Sequence, residues 1–333
     1  MFRAIEHPCL ETETNMKSSL RAALLALCCG LVASAASAQE FKQPIRFVVP
    51  FGAGGATDVL ARLVAMRIGK DLGQTVIIEN KPGAGGQIGT QAVKGAPADG
   101  SVFLVTTEHP LVVLPHITPS VGYSPEKDFA IMGKIANLQW ALSTPASTGV
   151  KTMPQFIEYV RRDPTRGNFG IPLTGGIPTM IGSVIAKKGG IEMTPIPYAG
   201  GAPMVTHLLG GQLSTGVTGT PEAASMQKTG KVVVLALAGS KRSAYLPDVP
   251  TFNELGYPDL DVDSWIAVFA PKGLPLAMAE KFNAALRAAL AEPEVRTKIA
   301  DLSLEIAPTM LNEASKEYAS ALAFWARAHK QER

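Results

Sequence analysis

Cysteine is nearly absent: the 333 residues contain three, Cys9, Cys28 and Cys29. All three lie in a stretch laid out for removal. Lys17 and Arg21 give a short positive start, residues 22–38 carry no charge, and Ala36-Ser37-Ala38 before Gln39 fits a small-x-small cleavage site. This predicts a secretory signal peptide over 1–38, read from Met16, with 1–15 as an upstream extension and Met1 as the alternative start. Its uncharged core is short for a membrane span. A buried amphipathic helix is the bland alternative, and Leu27 before Cys28 argues against lipid attachment. A chain starting at Gln39 would keep 295 of the 333 residues and no cysteine. Disulfides, thiol catalysis, Cys-ligated zinc and iron–sulfur clusters are then excluded.

Charge of one sign is also scarce. There are 31 Lys+Arg against 28 Asp+Glu, a net of +3, too little on this length for a nucleic-acid footprint. No second uncharged run approaches ~18 residues, so the mature protein is expected to be soluble and periplasmic. Catalytic and phosphate motifs are missing too: the chain has no H-E-x-x-H, no G-x-S-x-G and no G-K-[ST]. Beyond the leader, histidine is limited to His109, His116, His207 and His329. No metal or cofactor is expected. Glu108-His109 can line a cleft, but no nucleophile stands beside the pair.

Glycine and proline are plentiful, at 32 and 25, and mark turns between apolar runs. The chain reads as strands at 44–50, 75–79, 101–106, 168–170, 194–197, 214–218, 232–237 and 265–270. Helical patterns fall between them, and three helices close the chain. Strands alternating with helices predict an α/β fold with mostly parallel sheets. The first block has too few strands to stand alone. The chain is therefore expected to cross to a second lobe near 135–144 and return near 259–265. That gives lobe 1 as 39–139 with 262–333, and lobe 2 as 140–261, with a ligand cleft at the strand ends.

Three glycine-rich loops each follow a strand and open a helix, at 51–58, 170–179 and 198–203, and none contains Lys, Arg or His. Helix starts carry unpaired N–H groups, and glycine lets an anion come close. Facing one cleft, such loops form an anion receptor of backbone amides and Thr hydroxyls. Asp58 can either meet a ligand or stabilise its helix start. Trp140 and Trp265 fall at the crossings, where packing is the default and a ligand face the alternative.

The stretches PFGAGGATD (50–58), ENKPGAGG (79–86), PADG (97–100), YSPEKDF (123–129), PYAGGAP (197–203) and LPDVPT (246–251) together resemble the Bug-type receptors. These are the extracytoplasmic, TctC-like solute-binding proteins of the tripartite tricarboxylate transporter family. The resemblance covers essentially all of 41–333. It implies a two-lobed, type II periplasmic-binding-protein fold that closes on a small carboxylated solute and hands it to the membrane subunits of such a transporter. No nucleic acid is implied, and a monomer is expected. The alternatives are a receptor that presents its ligand to a membrane sensor kinase, and a secreted enzyme acting on a small carboxylate. The expected ligand-binding residues are Phe51, Gly54, Gly55, Ala56, Thr57 and Asp58 in the first loop, with Thr107, Glu108 and Trp140 near the crossing. Gly170, Thr174, Gly175, Tyr198, Gly200, Gly201 and Thr218 complete the set. Ile171 and Met180 replace residues that are polar in the family pattern, and Glu108 adds a negative charge. An ionised Glu108 would repel a second ligand anion, so a monocarboxylate is expected over a dicarboxylate.

Overall fold

The structure is a computed structural model and describes residues 41–198 and 200–331. The leader and its cleavage site lie outside the described residues. Two mixed sheets carry the fold. The first has six strands, in the spatial order 305–306, 129–138, 264–271, 102–107, 45–49 and 76–80; the second has five, in the order 194–197, 168–171, 215–219, 140–145 and 232–237.

The chain starts as β1 (Ile45–Val49), α1 (Ala56–Leu72), β2 (Val76–Asn80), α2 (Gln87–Lys94) and β3 (Val102–Thr107). β1 is rich in β-branched and aromatic residues, and it pairs in parallel with both β2 and β3. α1 buries Leu60, Ala61, Val64, Ala65, Ile68 and Leu72 on one stripe. It stops at Gly73, whose left-handed φ of 65° lets its N–H return to the Gly69 and Lys70 carbonyls. A helical turn, His109–Val113, and β4 (Phe129–Leu138) follow.

β4 belongs to the first sheet, and β5 (Trp140–Pro145) to the second, so the passage between sheets is the single residue Gln139. The second sheet then collects α3 (Met153–Arg162), β6 (Asn168–Ile171), α4 (Gly176–Gly189), β7 (Thr194–Pro197), α5 (Gly201–Leu209), β8 (Thr215–Gly219), α6 (Thr220–Lys228) and β9 (Val232–Leu237). β10 (Ser264–Pro271) returns to the first sheet between β3 and β4. α7 (Leu276–Ala291), α8 (Pro293–Asp301), β11 (Glu305–Ile306) and α9 (Leu311–Gln331) finish it. α7 packs on α1, and its Phe282 stacks on Phe103 at 4.1 Å in the first core.

The expectation of mostly parallel sheets is corrected. β5 runs antiparallel to β8 and β9, and β10 antiparallel to β3 and β4. The reason is the passage itself, because each strand entering from the other sheet arrives against the local direction. Gly239 marks the return path. A side chain there would stand 2.7 Å from Gln139 Nε2 and 2.9 Å from Asp263 Oδ1, and its φ is +122°. The Ala238 N–H donates to the Trp140 carbonyl at 2.7 Å, and Lys241 pairs with Glu305 of β11 at 2.9 Å. Among the described residues, no helix is long and apolar enough to cross a membrane.

Candidate functional site

The C-terminal ends of β1 and β3, together with the N-terminal end of β10, form one rim. The ends of β6, β7 and β8 and the start of β5 form the other.

In the first loop, Asp58 is buried and fully engaged. It accepts from the Gly54 N–H at 2.8 Å, from Asn80 Nδ2 at 3.0 Å and from Arg62, with which it also pairs at 3.0 Å. Burial alone would raise this carboxyl, but the bonds from Arg62, Gly54 and Asn80 prevail and hold it below its ordinary value. Asp58 therefore shapes the loop, the second of the two roles open to it. The Gly54 N–H is spent on Asp58, and the Gly55 N–H reaches the Gly52 carbonyl at 3.4 Å. The first-turn amides of Ala56 and Thr57 are the ones that helix geometry leaves without an intrahelical partner. Gly54 and Gly55 are exposed, and Thr57 is buried. The half-buried Phe51 ring packs towards the Gly85–Gly86 turn.

The middle loop is shorter than expected, because α4 starts at Gly176. Gly170 lies inside β6, paired with Ile196 and Gly216. A side chain on it would stand 2.7 Å from Met204 and Leu213, so this glycine makes room for packing within the sheet. Thr174 is exposed. The hydroxyl that organises the turn is Thr179, which accepts the Gly175 N–H at 3.0 Å. Ile171 is core, and Met180 lines a crevice of about 120 Å³ with Val113, His116, Ile117 and Trp325.

In the last loop, Gly200 caps α5 at φ 109°, a conformation that favours glycine, and Gly201 is the first helical residue. Tyr198 is half-exposed, with its hydroxyl 2.8 Å from His207 Nδ1. No sequence pattern announces α6. Its start, Gly219-Thr220-Pro221-Glu222, brings a third helix N-terminus to this rim, after those of α4 and α5.

Between the rims lie buried polar groups that lack hydrogen-bond partners. Thr107 Oγ1, Trp140 Nε1, Thr218 Oγ1 and both ring nitrogens of His109 are in this state. Thr106 and Ser143 share it one or more residues deeper in their strands. His109 is wedged between the rims. Side chains on Gly85 and Gly176 would stand 3.2 Å from its Nε2 and 3.1 Å from its Nδ1. Burial lowers its pKa to about 4, so the imidazole is neutral at pH 7.

Glu108 is 4% exposed at the end of β3, and Ser264 Oγ donates to its Oε2 at 2.5 Å. Burial pushes this carboxyl up; Ser264, the Trp265 main chain and the Trp140 indole offset part of the effect. The Trp140 N–H is near Glu108 without the geometry of a full hydrogen bond. No cation is paired to it among the described residues. Ser264 thus already supplies Glu108 with a hydrogen-bond donor.

Residues 60–323 match the family model described as tripartite tricarboxylate transporter family receptor. A protein of Cupriavidus necator described as "UPF0065 protein in gbd 5'region" is 34% identical over 306 residues, covering 91% of this chain and 90% of that one. Protein BugT of Bordetella pertussis is 33% identical over 244 residues, covering 73% and 75%. Among solved structures, R. palustris Rpa4515 with adipate superimposes with a TM-score of 0.79 at 29% identity, over 87% of this chain and 97% of that one. MatC from Rhodopseudomonas palustris with bound malate gives 0.75 at 28% identity, over 86% and 99%. Two facing sheets, glycine-capped helix starts on both rims and matches along most of the length agree: the chain belongs to the tripartite tricarboxylate transporter receptor family, the Bug-type or TctC-like solute-binding proteins.

Proposed function

We propose that this chain is a periplasmic receptor that captures a small carboxylated solute between two lobes, 41–139 with 262–333 and 140–261, and delivers it to a tripartite tricarboxylate-type transporter. The observation that carries this reading is the set of unpartnered buried groups between the rims: Thr107, His109, Trp140 and Thr218. Buried polar groups are nearly always hydrogen-bonded, so a cluster without partners at a junction between sheets suits a polar solute. The acid would lie at the Ala56 and Thr57 amides, with Phe51 and Trp140 beside the body of the solute and Gly200 and Gly201 across the cleft. The adipate and malate bound to similar receptors fit a small organic acid.

The test is direct. Expressed from Met16 in a Gram-negative host, the protein should be recovered from the periplasm beginning at Gln39. Mass spectrometry of what denaturation releases should find an organic acid. That acid should rebind the emptied protein and return chemically unchanged. A cytoplasmic protein that retains 22–38, or steady turnover of the acid, would contradict the reading.

A further inference from the structure

The turn after β3 meets the start of α4 with no side chain on the helix side of the contact. Gly175 and Gly176 have φ of 79° and 68°, which favours glycine at both. A side chain on Gly175 would collide with Ile117. One on Gly176 would stand 3.1 Å from His109 Nδ1 and 3.5 Å from Val113. Beside the two glycines lies the crevice of about 120 Å³. Val113, Ile117, Met180 and Trp325 are its apolar walls, and Gly176 and Thr179 belong to its polar part. None of the residues that line it is acidic.

Three kinds of donor stand unspent at that polar part. Helix geometry leaves the Gly176 and Ile177 N–H groups of this 14-residue helix without intrahelical partners. Thr179 Oγ1 accepts the Gly175 N–H, so its own proton remains to be given. His109 is 3% exposed, and neither of its ring nitrogens has a partner. Its Nε2 faces Gly85. Its Nδ1 faces Gly176 on the side of Val113, a wall of the crevice. The first loop lies on the other side of the imidazole, since Phe51 packs towards the Gly85–Gly86 turn and Gly85 faces Nε2. Donors at a helix start beside apolar walls, with no acid among them, complement an anion that carries an apolar body.

We infer that the crevice at the start of α4 is a second binding site, apart from the first loop, for a small branched monocarboxylate. Its acid meets the Gly176 and Ile177 amides and the Thr179 hydroxyl. Its hydrocarbon body lies against Val113, Ile117, Met180 and Trp325. A cavity of roughly 150 Å³ takes a benzene ring, so this smaller one suits a body of about four carbons. A second acid group would sit among the apolar walls without partners, which excludes diacids. The inference goes beyond the receptor reading and does not depend on it.

The experiment is an NMR titration of the emptied protein with isovalerate and with isovaleramide, which share such a body and differ in charge. Isovalerate should shift the Gly176 and Ile177 amide signals saturably, at a midpoint separate from any seen at Ala56 and Thr57. Isovaleramide should need about ten times more. Met180→Trp fills the crevice and should raise the isovalerate midpoint about tenfold. No shift at Gly176 and Ile177, equal midpoints for acid and amide, or an undiminished response in Met180→Trp overturns the inference. So does one midpoint shared with Ala56 and Thr57, which would put the acid at the first loop. If Met180→Trp does not fold, the acid–amide comparison and the place of the shifts decide the matter in the wild type.

Discussion

Asp58 receives the Gly54 main chain, Arg62 and Asn80, so one side chain fixes the loop that precedes α1. These bonds hold its carboxyl low, and the folded protein keeps it ionised where the unfolded chain has begun to take up protons. The resulting stability is complete above about pH 4 and is lost as the pH falls through the lower folded value. Asp58→Asn is expected to lower stability at pH 7 by about 1.5–3 kcal/mol, the range for hydrogen bonds to a charged group. Denaturant melts should show that gap closing as the pH falls below the ordinary carboxylate range. A gap that persists there would mean packing, and not charge, holds the loop. Single residues also show what sequence reading cannot reach. Asp58 and Gly54 are four positions apart, so their bond was within reach of local reasoning. Glu222 lies beside Gly201, and nothing at either position forecasts the other.

At the level of elements, the strands with continuous apolar runs, β1, β3, β9 and β10, were legible because burial on both faces demands that pattern. β4 and β5 were not read as strands: a crossing was placed near 135–144 because the first block had too few strands to stand alone, and Lys134, Asn137, Ser143 and Thr144 interrupt their apolar runs. α6 escaped because Thr220, Pro221, Ser225, Gln227 and Lys228 break its apolar stripe. Glycine loops were found correctly as helix openers at α1 and α5, whereas Gly170 belongs to a strand, a distinction set by Met204 and Leu213 packing over it.

The turn after β3 carries its own pH signature through His109. The unfolded imidazole takes a proton as the pH falls through its ordinary 6.5; the folded one does so only near 4. Its folded pKa is depressed, and the group is a base, so the folded state loses ground from pH 6.5 downward. The full loss, about 3 kcal/mol, is reached near pH 4. His109→Gln should remove that slope from thermal melts between these values. Identical pH profiles in the two proteins would show that the imidazole is not confined between Gly85 and Gly176.

For the whole molecule, the two sheets meet through few covalent links, Gln139 one way and the stretch from β9 to β10 the other. Lys241–Glu305, and Tyr245 donating to the Leu304 carbonyl at 3.0 Å, tie the two parts on the side of β11. That layout places the glycine-capped helix starts of α1, α4, α5 and α6 around the junction. The central claim is that main-chain amides of the first loop hold the acid, and Gly55 is a clean place to probe it. Its φ of −72° and ψ of 162° suit any residue, and a side chain would meet only the Gly52 carbonyl, at 3.5 Å. Gly55→Val should therefore fold normally while covering the Ala56 and Thr57 amides. Calorimetry with the co-purified acid is expected to show affinity weakened more than tenfold, about 1.4 kcal/mol, with an unchanged melting temperature. Full affinity in a folded Gly55→Val protein would contradict the account.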